Sequence, residues 1–438
     1  MRGAWLYFAL LVASALFPQN AAATITLGQS VVSLGGPWKF HTGDDPRWAD
    51  PNFDDSKWET VDLTAPPGAH DDDVGLTGYV PGWSARGHSG YAGYAWYRLR
   101  VSVNAQGALA LAGPADVDSA YQVFLDGHLL GSDGVFSGKQ PVVTSIQPRK
   151  FALPPRFRSG VIAFRVWMGA AAGAPDAGGI HIAPALGTAS GVDGRYRLQW
   201  LQTVEGYVVE IVEPVFFLLL ALMAFSLIPF DRTDMFYPWL IAALLLTAAA
   251  RLNQAFYFWT QDESALQFVL LRSVFLDPMI LGAWLMTWRA EFRLREPTWL
   301  PTAIGALTAV YMLSVLLSRS MFWTVFPHPA IAGLLDAVAC ERFLFVLALT
   351  FITICGIMRR GEDGWFALPS VILIAIGLFA QELSALHVAG IWFPYGVGVS
   401  RTQFAYAAFD AALFALLLRR LRRYARRRYF TRPSSFIA

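Results

Sequence analysis

The sequence predicts a multidomain membrane protein, an all-β sandwich followed by an all-α bundle of seven transmembrane helices. Three observations point there. Hydrophobic residues make up 55% of the 438-residue chain and charged ones only 15%, against about a quarter charged in an ordinary soluble domain. The mean hydropathy is +0.42. The apolar residues are also unevenly placed: Thr24 to about Trp200 is dense in turn residues and short alternating stretches, whereas long apolar runs follow one another beyond Trp200. Such apolar content excludes disorder, and a formal net charge of +2 gives no reason to expect a nucleic-acid partner.

The first residues combine Arg2, the apolar run Ala4 to Phe17 and the small residues Ala21-Ala22-Ala23. That is the layout of a secretory signal peptide over residues 1–23, with an uncleaved anchor as the alternative, because the run is shorter than the about 20 residues of a span. Residues 24–200 then form an exported domain. Trp96 to Val103 alternates with period 2, as a half-buried strand does. Tyr121 to Leu125 and His128 to Gly131 flank Asp126-Gly127, a pair that favours a type I′ hairpin because both residues tolerate positive φ. Gly160 to Trp167 and Gly179 to Ala183 are further strands, and several short strands with this punctuation make a sandwich or jelly roll.

Residues 201–418 contain seven runs near bilayer-crossing length: Val208 to Phe230, Phe236 to Phe258, Leu266 to Trp288, Trp299 to Leu317, Ala330 to Met358, Phe366 to Val388 and Arg401 to Leu418. With the β domain outside, the inner loops hold Arg232, Arg289, Arg293, Arg295, Arg359 and Arg360, and the outer ones almost only Arg319. Export signal and positive-inside rule agree. Cys340 and Cys355 lie in one apolar stretch and imply neither disulfide nor zinc.

Trp38-Lys39-Phe40, Gly43-Asp44-Asp45, Trp48-Ala49, Phe53-Asp54-Asp55-Ser56 and Trp58 resemble the opening of the galactose-binding-like jelly roll at the front of glycoside hydrolase family 2 enzymes. Gly93 to Arg98, Val123 to Gly127 with Gly131-Ser132, and Ile162 to Trp167 continue that pattern in the same order. A jelly roll followed by seven helices resembles the bacterial seven-transmembrane receptors with diverse intracellular signalling modules. In that family a cytoplasmic effector usually follows the membrane unit; here only the basic tail, residues 419–438, follows the last helix. The resemblance therefore implies a receptor whose effector is a separate chain.

For the β domain, aromatic rings at loop ends that stack on sugars, with nearby polar groups for the hydroxyls, make Trp48, Asp72, Trp83, Arg86, His88 and Tyr91 ligand-binding candidates. Trp38, Phe40, Trp58, Trp96 and Trp167 read instead as core. Asp44-Asp45 or Asp71 to Asp73 offer oxygen ligands for a structural calcium, although without EF-hand spacing. No metal motif is present, and no other cofactor is expected. Catalysis is not expected either. Glycoside hydrolysis usually needs two positioned carboxylates, the domain has one glutamate, Glu59, and the family's catalytic barrel has no counterpart.

Charges within a bilayer are costly and face a bundle interior or cavity. Glu213, Arg251, Arg272, Asp277, Asp336, Glu341, Arg342, Glu382 and Asp410, with Glu210, fall in the outer half or near the midplane. They predict a polar vestibule in which Arg251, Arg272 and Arg342 exchange carboxylate partners. Asp277-Pro278 is positioned to kink the third span. In the tail, Arg419, Arg420, Arg422, Arg423, Arg426, Arg427 and Arg428 are expected on anionic lipid head groups or on a cytoplasmic effector. The function expected is a bacterial inner-membrane sensory receptor, with its N-terminal domain periplasmic or extracellular and its C-terminus cytoplasmic. The β domain would bind a small, carbohydrate-like ligand. The alternatives are a membrane-anchored glycan-binding module without signalling and a transporter.

Overall fold

The computed structural model describes residues 30–70, 76–104, 107–138, 140–169, 176–319, 322, 325–326, 328–386, 388, 391 and 400–430, with backbone alone for 202–206, 328–329 and 427–430. The expected signal peptide, residues 1–23, and the Asp71 to Asp73 run lie outside the described residues.

Twelve strands are described. β1 (Val31–Ser33), β5 (Leu109–Ala112), β9 (Lys150–Ala152) and β12 (Ala185–Thr188) form a four-stranded sheet in the order β1-β12-β5-β9. β2 (Pro37–Thr42), β3 (Glu59–Asp62), β4 (Gly93–Ser102), β7 (Ala120–Leu125), β8 (His128–Asp133) and β10 (Ser159–Met168) form a six-stranded sheet in the order β3-β2-β4-β10-β7-β8. β6 (Asp116–Asp118) and β11 (Gly179–Ile182) pair separately. Every strand pairing among the described residues is antiparallel, and β4 meets β10 along its whole length, Ser159 opposite Ser102 and Met168 opposite Gly93.

Period-2 alternation explains which side each residue faces. Ile162, Phe164, Val166 and Met168 of β10 and Ala95 and Tyr97 of β4 enter one core with Leu111, Phe151 and Leu186 of the smaller sheet. Trp96 and Ala163 face the other way into a second cluster, with Trp58 and Ala49. The segment between β2 and β3 thus covers the outward face of the large sheet. The hairpin turn has φ of 47° at Asp126 and 83° at Gly127, the expected pair of positive values.

Helix α1 (Ala189–Leu227) starts directly after β12, with the Thr188 hydroxyl accepting from Gly191 N at 3.1 Å as its N-cap. Its 39 residues run for about 58 Å at 1.5 Å each, so sheet domain and bundle share one continuous rod. Next come α2 (Phe236–Trp259), α3 (Ala265–Glu291), α4 (Leu300–Leu317), α5 (His328–Arg360), α6 (Glu362–Leu378), the short α7 (Ala380–Ala385) and α8 (Arg401–Phe430).

The expected runs lie mainly on helix, but Phe366 to Val388 is split at Phe379 between α6 and α7, and Val388 is not helical. Among the described residues, five helices are long and apolar enough to cross a membrane: Tyr207–Phe230, Phe236–Trp259, Ala265–Glu291, Leu300–Leu317 and Ala330–Arg360. α6 and α8 pack into the same core, where Phe217, Leu240, Trp284, Ile304, Phe345, Ile374 and Phe409 are joined. α8 continues past the expected end at Leu418, so the start of the basic tail is helix.

Within α3 the turn Leu270–Leu276 is π-helical, and Asp277 N–H bonds the carbonyl of Arg272. Pro278 gives the reason: it lacks an N–H and its ring crowds the carbonyl four residues back. The expected kink is taken up as a widened turn.

Candidate functional site

Two regions hold the residues singled out by the sequence. In the sheet domain, Trp83 opens a short 3₁₀ turn, Trp83–Arg86. Its ring is 1% exposed, packs near Phe40 and Tyr91, and donates from Nε1 to the Tyr91 carbonyl at 3.2 Å. This corrects the expectation of a stacking platform, because a ring enclosed by protein offers no face to a sugar. Trp48 is half-buried against Trp58 and His41, with ring centroids at 5.1 and 4.9 Å.

Arg86 donates to the carbonyls of Pro81 and Asp62 at 2.8 and 2.9 Å. His88 Nε2 meets Glu59 Oε2 at 3.0 Å. The Tyr91 hydroxyl donates to Tyr94 O at 2.5 Å and accepts from Gly43 N at 2.9 Å. These groups hold the loop to the sheet. Asp72 lies outside the described residues. The five core tryptophan and phenylalanine assignments hold for Trp38, Phe40, Trp58 and Trp96, while Trp167 is half-buried on the outward face of β10.

A polar group missed by sequence reasoning lies on that outward face. Arg165 donates to Gln122 Oε1 at 2.8 Å and to Asp44 Oδ1 at 2.7 Å, and lies 3.9 Å over the Tyr94 ring. Its signal was the cross-strand register, Arg165 opposite both Trp96 and Gln122.

The second region is a cavity of about 100 Å³ inside the helical bundle, lined by Arg251, Arg272, Asp277, Arg342 and Tyr406 among others. Arg251 comes from α2, Arg272 and Asp277 from the π turn and its end, Arg342 from α5, and Tyr406 from α8. Each arginine has its own acid. Arg251 Nε reaches Glu213 Oε2 at 2.8 Å and Glu210 Oε2 at 3.0 Å, and its guanidinium sits 4.7 Å over Tyr406. Arg272 Nε reaches Asp277 Oδ1 at 3.0 Å.

Arg342 pairs with Glu382 through Nε and through Nη2 at 2.8 Å, and donates to the Tyr311 hydroxyl at 3.2 Å and the Leu378 carbonyl at 3.1 Å. Glu341 points elsewhere, accepting from Ser314 Oγ at 2.7 Å. Asp410 is buried, with Oδ1 unpartnered among the described residues. Asp336 is exposed on α5 and takes no part in the buried network, a correction to the expected grouping: it sits on the outward side of its helix. Tyr311, Gln381 and Tyr406 were missed. The available signal was Tyr406 one helical turn before Asp410, on the same face.

The tail arginines divide. Arg420 is 8% exposed, donates to Asp234 Oδ2 at 2.8 Å and to Glu291, and stacks 4.0 Å over Phe236. It is therefore an internal clamp at the far end of the bundle and not a lipid or effector contact, because its charge is already matched by two buried acids. Arg419 reaches Asp363 at 2.8 Å, and Arg423 bonds the same carboxylate. Arg422 and Arg426 are exposed, and the side chains of Arg427 and Arg428 lie outside the described residues.

A buried junction ties the sheet domain to the cavity end of the bundle. Asp133, at the end of β8 and 3% exposed, accepts from Arg149 Nη2 at 2.9 Å, Gln261 Nε2 at 2.8 Å and Gln147 N at 3.2 Å. Ser145 Oγ donates to Thr260 O at 3.1 Å, and Ala265 N to Val143 O at 2.8 Å. The α2–α3 loop held in this way leads through the capped α-helical turn Ala265–Val269 into the π turn.

No family model matches the sequence, and no curated protein matches it. Among solved structures the chain is similar to a β-glucuronidase from glycoside hydrolase family 2, at 20% identity and TM-score 0.26 over 37% of this chain and 18% of the other. A Bacteroides uniformis β-glucuronidase matches at 20% identity and TM-score 0.25 over 36% of this chain and 17% of the other. A β-glycosidase from Bacteroides vulgatus matches at 22% identity and TM-score 0.24, over 36% and 20%. The chain spans about a fifth of the length of these structures.

Proposed function

We propose that this chain is a sensory receptor of a bacterial inner membrane. Its periplasmic jelly-roll domain binds a small, carbohydrate-like ligand, seven membrane-crossing helices relay occupancy, and a cytoplasmic effector reads it. Catalysis is not part of the reading.

The observation that carries it is the junction centred on Asp133. A head that only anchored glycans would need no buried, multiply bonded attachment to a loop of the bundle. Here any shift of β8 against that loop must break the bonds among Asp133, Arg149 and Gln261 or drag the loop with it. The loop feeds the π turn that holds Arg272 against Asp277. Widened turns of this kind recur at functional sites, and partner exchange among Arg251, Arg272 and Arg342 supplies two arrangements for a ligand to bias. A ligand with equal affinity for both would shift nothing.

The test uses the full chain in lipid nanodiscs. A thermal-shift screen against mono- and oligosaccharides, with and without calcium, finds a ligand, since binding to the folded state raises stability. Hydrogen exchange then reads residues 261–277. The expected result is a sugar-dependent change there that Asp133→Asn abolishes while sugar affinity stays. If saturating sugar leaves 261–277 unchanged, the glycan-anchoring alternative replaces this reading. If no sugar binds, the jelly roll is a protein-contact cap.

A further inference from the structure

We propose that the cavity between α2, α3, α5, α6, α7 and α8 is itself a binding site, for a short-chain monocarboxylate, separate from whatever the sheet domain binds. The argument starts from atoms left over once the ion pairs are made. Arg251 commits Nε to Glu213 at 2.8 Å, yet its Nη2 is buried with no acceptor among the described residues. Its side chain is 9% exposed, so water outside the bundle does not reach it freely. Arg272 commits Nε to Asp277 at 3.0 Å and leaves Nη1 in the same condition. Both arginines line the same cavity. Arg342 differs, with Glu382, the Tyr311 hydroxyl and the Leu378 carbonyl occupying its nitrogens, and serves as a fixed wall.

A buried guanidinium donor without an acceptor is costly, more so than a neutral group. Two of them on one cavity call for an occupant that brings acceptor oxygens. The planar fork of a guanidinium fits a carboxylate.

The walls define the rest of the ligand. Ile280, Leu281, Leu378 and Ala380 give the cavity an apolar side, which suits a short alkyl chain and not a sugar. The volume, about 100 Å³, suits a ligand of a few heavy atoms. Charge limits the valence. Asp277 lines the cavity, and Glu210, Glu213 and Glu382 pair with the arginines, so a dianion such as phosphate meets about twice the repulsion that a single carboxylate does. Resident acids engage the Nε atoms of Arg251 and Arg272 and leave the two Nη donors for the ligand.

The experiment is titration of the full chain in nanodiscs with sodium propionate against sodium chloride and sodium phosphate at equal ionic strength, read as a melting shift and by calorimetry. The expected result is a saturable stabilisation specific to propionate. Arg272→Gln should weaken it at least tenfold, and Ala380→Leu, which keeps every charge and fills the apolar side, should abolish it. Propionate behaving like chloride overturns the proposal, as does wild-type affinity in Ala380→Leu; the latter variant decides the matter if Arg272→Gln does not assemble. The sugar screen on the same sample reports on the sheet domain independently, so failure here is distinguishable from failure of the receptor reading.

Discussion

Arg98 is 2% exposed on β4, and its surroundings explain the motif that precedes it. Its Nε pairs with Asp55 Oδ2 at 2.8 Å, its Nη2 donates to Asp50 O at 3.0 Å, and its Nη1 bonds the Trp48 carbonyl, while Phe53 and Trp58 flank the guanidinium at 5.6 and 5.9 Å. A buried charge persists only with such partners, so the Trp-rich, Asp-rich segment is a clamp on the sheet. His181 is the titrating counterpart. It is 3% exposed, stacked on Tyr79 at 5.0 Å, and bonded through Nδ1 to Val80 O at 3.0 Å and through Nε2 to Asp118 at 3.2 Å. Burial pushes its pKa down, but the Asp118 bond and the charges of Asp118 and Asp116 outweigh that and raise it above 6.5. A raised value means the native state holds the proton more tightly, so this stability is complete below pH 6.5 and is lost as pH rises through the higher native value. Asp118 works in the opposite sense: burial raises its pKa, the His181 contacts outweigh that and lower it, and its contribution is lost in acid below its ordinary 3.8. We expect amide exchange at residues 176–183 to accelerate as pH rises above 6.5, beyond the intrinsic base catalysis of exchange, and His181→Gln to remove that extra slope. An unchanged slope in the variant would mean the pair carries no linkage.

At the scale of elements, the Asp126-Gly127 hairpin makes a clean prediction. Gly127 sits at φ 83° with nothing nearer than 3.7 Å to an added Cβ, so Gly127→Ala meets conformational cost alone, about 1–2 kcal/mol for a left-handed L-residue. A lowered melting midpoint of the sheet domain in the full chain, followed by tryptophan fluorescence, is expected; a midpoint equal to wild type would contradict the left-handed turn. This hairpin was legible because its signal is local, two residues between two alternating runs. The buried charges of Arg251, Arg272 and Arg342 were legible for a different reason, since an apolar run tolerates an arginine only where something matches it. Legibility failed where meaning depends on distant neighbours. Trp83 reads as an exposed loop aromatic, yet Gly178 admits its ring, and a Cβ there would come within 2.3 Å of it. Arg420 is one of many arginines in the tail, and only the return of Asp234 and Glu291 to the same end of the bundle sets it apart. The junction at Asp133 joins Ser145, Gln147 and Gln261, polar loop residues whose burial follows from docking two units and has no period or motif.

For the whole molecule, the decisive feature is where apolar surface is left. Leu222 and Phe225 on α1 are both 64% exposed, and Ile354 and Met358 on α5 are 53% and 81% exposed. Water-soluble monomers do not leave such continuous apolar faces open, and lipid is the solvent that tolerates them. One end of this apolar belt carries the docked sheet domain, and the other carries the exposed Arg422 and Arg426 on the extension of α8. Free arginines near an anionic leaflet contribute about 1 kcal/mol each, whereas Arg420, matched internally, contributes nothing to that attraction. For the proposed receptor, the positive-inside rule predicts the sheet domain on the outer side. In a background with Cys340 and Cys355 replaced by alanine, Lys57→Cys should react with a membrane-impermeant maleimide in intact spheroplasts, and Arg426→Cys only after lysis. Labelling of both sites before lysis would sink the crossing arrangement, and the reverse pattern would invert it. Because α1 runs unbroken from β12 into the belt, the orientation of the first helix and that of the sheet domain cannot be separated, so this one experiment fixes both.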